Sequence, residues 1–169
     1  MMTYTCEQCG QEHEDWPALV FKAPDPYLAL SEEDREKAEL TKEICCIEEE
    51  DGTNQWYIRG VLTQYVYDAC QYLDYGVWVS LSEASIKDYY EHYEDKTYKT
   101  TYFGWLVTNL PNYPANTTFG LPTNVEVDNS KGIPTILPHK KGDSIFIEEF
   151  YDGISTAEAL LRIEAIINK

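Results

Sequence analysis

The sequence predicts an α+β protein: a central, mostly antiparallel sheet with a few helices and a zinc-knuckle-like segment at the N-terminus. β-forming runs fill the middle of the chain, helical spacing of apolar residues is confined to a few stretches, and Cys6-x2-Cys9 stands ahead of both. At 169 residues the chain has the length of a single domain, 1–169, with residues 1–16 as a cysteine knuckle packed on the main body. A domain of that length buries roughly 70% of its unfolded surface, so it needs no disulfide to hold a core.

The first helix signal is Ser31-Glu32-Glu33-Asp34, a capping serine with acids in the first turn. Residues 43–48 and 55–67 read as strands, rich in Ile, Val, Trp and Tyr, and Asp51-Gly52 between them signals a hairpin turn. Residues 76–81 form a third strand. Ser82 caps a helix to about Asp95, in which Ile86, Tyr89, Tyr90 and Tyr93 recur at spacings of three and four. Tyr102–Val107 suits a strand or a packed loop. Pro, Asn, Gly and Thr between Pro111 and Pro138 predict short strands and turns, including 123–127 and 133–137. Residues 144–150 give mixed signals. The last helix has Ser155 as N-cap and Glu158 completing a capping box, followed by Leu160, Leu161, Ile163, Ile166 and Ile167.

Cys6 and Cys9 carry the sharpest chemistry. A two-residue gap lets both sulfurs reach one ion at roughly 2.3 Å, and Gly10 suits the tight turn behind them. A closed tetrahedral site needs two more donors. His13 lies four residues on, and Cys45-Cys46 lie in a strand, where only one of the pair can face the ion. The ligand set predicted here is Cys6, Cys9, His13 and Cys45, holding a structural zinc. Free thiols or a redox pair have the same spacing, although a redox pair normally opens a helix after a strand. Cys70, without a partner motif, reads as a small buried residue. His92 and His139 have no neighbour that names a triad, and no phosphate loop is present.

The net charge of −17 argues against nucleic acid and anionic membrane surfaces as partners. Acid concentrates early: residues 1–51 hold 15 acidic against 4 basic side chains. Such a surface keeps a protein in solution and also steers a basic partner. Between Tyr65 and Trp105 lie 12 of the 23 aromatic residues, a density that suits either a core or a contact surface. With no signal peptide and no apolar run of membrane-spanning length, a cytoplasmic protein with reduced cysteines is expected.

Several segments also resemble a bacterial family, domain of unknown function 2199. They are Cys6–His13, Ile58-Arg59-Gly60-Val61, Gly76–Glu83, Phe103–Leu106 and Leu110–Pro114. The resemblance covers most of the chain. It implies a single cysteine near position 45, which supports Cys45 over Cys46, and it implies no activity, substrate or catalytic residue.

The function expected from all this is non-enzymatic binding. An immunity-type protein would cover a toxin or another basic protein with Tyr89, Tyr90, Tyr93, Glu91 and Glu94, and secondarily with the loop Glu48, Glu49, Glu50 and Asp51. Two alternatives stand beside it. A three-ligand site holding water would make a small metal-dependent hydrolase, and a closed site would suit a zinc-binding housekeeping domain.

Overall fold

A computed structural model describes residues 3–6 and 9–167. A short hairpin comes first, β1 (Thr3–Thr5) and β2 (Glu12–Glu14), followed by β3 (Leu19–Val20). Two short helices, α1 (Asp25–Leu28) and α2 (Glu32–Lys37), lead to β4 (Glu39–Leu40). Then come β5 (Ile44–Glu48), β6 (Asn54–Val66), β7 (Gln71–Leu81) and α3 (Glu83–Glu91). β8 (Lys99–Leu106), β9 (Pro122–Asp128), β10 (Thr135–Pro138), α4 (Ile145–Asp152) and α5 (Thr156–Ile167) complete the chain.

The fold is α+β, and its sheet closes on itself. β6, β7, β8 and β9 pair antiparallel in turn, β10 pairs antiparallel with β9, and β10 returns parallel to β6 at Thr135↔Val61. The result is a five-stranded barrel with extra strands. β5 and β4 extend the sheet from the first half of β6, and β3 lies parallel to β7 at Leu19↔Tyr75. Closure depends on Gly60, because a Cβ there would stand 2.5 Å from Ile136 Cδ1 and 2.9 Å from the Pro134 carbonyl oxygen.

Period-two alternation sorts the side chains into two cores. Ile58, Leu62, Val77, Val79, Val125 and Ile136 fill the barrel. Cys45, Ile47, Tyr57, Trp78 and Val107 point outward into a second buried layer, covered by Phe21, which follows β3, and by Tyr27, Leu30 and Ala38 of the α1–α2 segment. The indole N–H of Trp78 donates to the Phe21 carbonyl at 2.8 Å, pinning that cover to the barrel.

Three expectations change. The third strand begins at Gln71, since Gln71, Leu73 and Tyr75 alternate inward with exposed Tyr72 and Asp74. The helix after Ser82 ends at Glu91 rather than near Asp95, and the Asn129 amide closes its end by donating to the carbonyls of His92 and Asp95. The last helix is capped by Ser155 as expected, but it buries Ala159, Arg162 and Ile163 and leaves Leu160, Leu161 and Ile167 exposed. Arg162 takes the inward place because both terminal nitrogens of its guanidinium find acceptors there. It donates to Gln64 Oε1 at 2.7 Å and Glu149 Oε2 at 2.8 Å, and it lies over the Tyr113 ring. Among the described residues no helix is long and apolar enough to cross a membrane.

Candidate metal centre

The β1–β2 hairpin sets the knuckle. Its register pairs Tyr4 with His13, so His13 stands directly behind the loop that carries Cys6 and Cys9. The Gly10 N–H donates to the Cys6 carbonyl and the Cys6 N–H to the Gln11 carbonyl, both at 2.8 Å, which draws the loop into a tight turn. Gly10 has φ +70°, a conformation that suits glycine. Cys9 Sγ then lies 3.1 Å from His13 Nε2, and the ligand atoms of Cys6, Cys9 and His13 all fall within 4.8 Å of one another. Cys6 is buried, His13 half-buried and Cys9 exposed, so the group has a dry side and an open side.

Residues 5–154, most of the chain and all of this knuckle except its first strand residues, match a family described as an uncharacterized protein conserved in bacteria, DUF2199. The chain belongs to the DUF2199 family. No curated protein and no solved structure matches it significantly. The DUF2199 match ends just before α5, so the knuckle, the barrel and α3 lie within it.

Two thiols and an imidazole are a borderline-soft donor set, which fits zinc. A tetrahedron with bonds near 2.3 Å spaces its donor atoms by roughly 3.8 Å, so these three need only small adjustments to hold an ion.

Cys45, predicted as the fourth ligand, is not brought to this group. Its thiol is fully buried with Ile47, Tyr57, Trp78 and Val107. Burial, reinforced by neighbouring Cys46, pushes its pKa up to about 12, so the thiol stays protonated and inert. Cys45 pairs with Tyr57, and from Tyr57 to Val66 at the far end the strand runs roughly 30 Å. The knuckle belongs to that far end.

The cysteine that does reach the knuckle is Cys70. It closes the four-residue turn 67–70 between Val66 and Gln71, the last pair of the β6–β7 ladder. Its side chain stands beside Cys9 and Cys6, and the parallel β3–β7 register at Leu19↔Tyr75 brings the N-terminal hairpin to this end of β7. Burial, with those two sulfurs beside it, raises its pKa. The pKa of the Tyr4 phenol is raised by burial and then by the negative field of Cys6, Asp15, Cys9 and Cys70. Sequence reasoning missed Cys70 because the turn contains neither Gly nor Pro. The available signal was the alternation of 71–75, which implies a hairpin tip at 67–70.

A second group, Asp88, Glu91 and His92, also lies close together on α3. Its central carboxylate is already engaged. Asp88 accepts from the phenols of Tyr98 and Tyr102, which hold its pKa below the usual range, and His92 stacks on Tyr98 at 4.0 Å. These contacts lock α3 to β8 and explain the cluster without an ion.

The residues expected to meet a partner fall into two places. Tyr89 is buried in the barrel core, while Tyr90 and Glu91 are exposed at the end of α3 and Tyr93 and Glu94 in the turn that follows it. Tyr90 packs edge-on to Trp56. Glu48, Glu49, Glu50 and Asp51 are exposed at the β5–β6 turn, where Glu48–Glu50 border a cleft with Tyr57 and α2. Trp56 and Tyr57 are consecutive and face opposite ways, so the tyrosines and the acidic loop serve different faces of the sheet.

Proposed function

We propose that this protein is a non-enzymatic binding protein of the cytoplasm, with a structural zinc in the knuckle and a docking face on α3 for a basic protein partner. The face formed by the end of α3 and the turn after it carries the reading. Tyr90 and Tyr93 are about half exposed, at 51% and 41%, yet each ring is already held. Tyr90 rests against Trp56 at 6.4 Å and Tyr93 against Tyr89 at 5.7 Å, while the Tyr93 hydroxyl donates to Glu43 at 3.2 Å. Aromatic anchors that are ordered before contact lose little entropy on binding. Glu43, Glu91 and Glu94 surround them with negative charge, which accelerates encounter with a basic surface. In the immunity-type form of this reading, that basic surface belongs to a toxin. The Glu48–Asp51 loop, on the other face, serves as a second contact only for a partner that wraps the sheet edge.

The test uses the full chain as bait in extract from its own cell, followed by the purified captured protein. A basic protein should bind wild type, weaken steeply with added salt, and lose at least tenfold in affinity to a Tyr90→Ala/Tyr93→Ala variant, since central aromatic anchors carry about 2 kcal/mol or more. A captured partner that binds this variant as tightly as wild type removes α3 from the reading.

A further inference from the structure

The turn that carries Cys70 is held firmly. Asp68 accepts from the Thr156 N–H and hydroxyl at 2.7 Å each, fastening the turn to the start of α5. The Tyr67 N–H donates to the Ile154 carbonyl at 3.1 Å, and the Ile154 N–H returns to Tyr65 at 2.9 Å. Ala69 is buried. Cys70 itself has φ +49°, a left-handed conformation that glycine adopts freely and side chains resist. A fixed backbone thus presents a thiol from a position where glycine would be the unstrained residue. That thiol meets the two knuckle cysteines.

We propose that Cys70 is the fourth ligand of the metal centre formed by Cys6, Cys9 and His13, so that one ion bound by three sulfurs and one imidazole nitrogen ties the N-terminal hairpin to the β6–β7 turn. The proposal rests on the structural-zinc reading above and deepens it. Cys6, Cys9 and His13 lie within 4.8 Å of one another, and Cys70 stands beside Cys9 and Cys6 at the end of β7 to which β3 leads from the hairpin. Cys3His is a standard closed set for structural zinc and leaves no position for a reactive water. With Cys70 bound, the open position that the hydrolase alternative needs is filled. Binding requires the ligand thiols as thiolates, so ion uptake releases up to three protons to solvent. The three thiolates give the loaded site a net charge of about −1, which the exposed side at Cys9 leaves hydrated.

The experiment uses the full chain, with cobalt(II) and zinc as probes. Wild type should bind one ion per chain and show the near-ultraviolet sulfur-to-cobalt band and the visible bands of a tetrahedral site. Cys70→Ser keeps the size and backbone demands of the residue. It should lower the sulfur band by about one third and weaken zinc by more than the roughly 10–100-fold that outer-shell changes cost. Cys45→Ala should change neither. Alkylation of wild type avoids any folding defect in a variant: Cys6, Cys9 and Cys70 should be protected together by zinc and become reactive together on chelation. An unchanged band and affinity in Cys70→Ser, or labelling of Cys70 in the zinc-loaded protein, overturns the Cys70 assignment and leaves a three-residue site. Wild type that binds neither ion, or that joins Cys70 to Cys6 or Cys9 in a disulfide, overturns the metal reading as well.

Discussion

The two ends of the β6–β7 hairpin use cysteine in opposite ways. Near one end, Cys45 is sealed beneath the α1–α2 segment among Ile47, Tyr57 and Trp78, with a pKa pushed up to about 12. At the other, Cys70 stands at a turn, half-buried, against the sulfurs of Cys6 and Cys9. The residue type is the same, and what differs is the company. Cys45 has neighbours that offer carbon, so it behaves as a small hydrophobe. Cys70 has neighbours that offer donor atoms, so it can share an ion. A candidate metal site in this fold is therefore marked by convergence of donor-bearing segments, and burial alone does not mark it.

The comparison breaks hardest at the sealed end. Trp78 is fully buried, its indole N–H is bonded to Phe21, and its backbone N–H donates to Thr108 Oγ1 at 2.9 Å. Trp78→Ala should cost about 3–5 kcal/mol in urea unfolding and leave the zinc content of the folded fraction unchanged. Cys45→Ser should cost less, about 1–3 kcal/mol, because it buries a hydroxyl among apolar side chains. It too should leave metal content as in wild type. Loss of the ion in either variant would mean that the two ends are one cooperative site.

The smallest effect is at the tip and appears only in acid. The Thr156 hydroxyl and N–H lower the pKa of Asp68. A carboxylate whose folded pKa is depressed contributes stability above its unfolded value, near 4, and that contribution fades as pH falls through the folded value. Asp68→Asn should therefore flatten the acid limb of a thermal-stability profile below about pH 4 while changing little at pH 7 beyond its cap on α5. If Cys70 depends on this turn for its position, the same variant should weaken zinc modestly. An unaltered acid limb would show that Asp68 does not hold the tip.

Local chemistry made much of this protein legible. Ser31, Ser82 and Ser155 each accept an N–H from three residues on, as capping serines do. Asp51-Gly52 closes the β5–β6 hairpin with Gly52 at φ +81°. The knuckle spacing of Cys6, Cys9 and His13 does bring three donor atoms together. These features depend on neighbours a few residues away, and a sequence displays such neighbours directly.

Other features depended on partners far along the chain. Alternation in β6–β10 marks strands but carries no instruction to close a barrel, which waits on Gly60 admitting the Ile136 side chain and the Pro134 carbonyl. Arg162 sits in an apolar helix face because Gln64 and Glu149 accept from its terminal nitrogens and the Tyr113 ring lies under it, all outside its own helix. Likewise the choice between Cys45 and Cys70 was set by which one lies near residue 6 in space. The sequence by itself determined most of the elements, the caps and the three donor residues of the knuckle, since those follow from backbone propensity and short spacing. Only the tertiary structure decided the closed sheet, the Arg162–Glu149 ion pair and the approach of a third thiol to the knuckle, because each is a contact between segments whose separation along the chain says nothing about their distance.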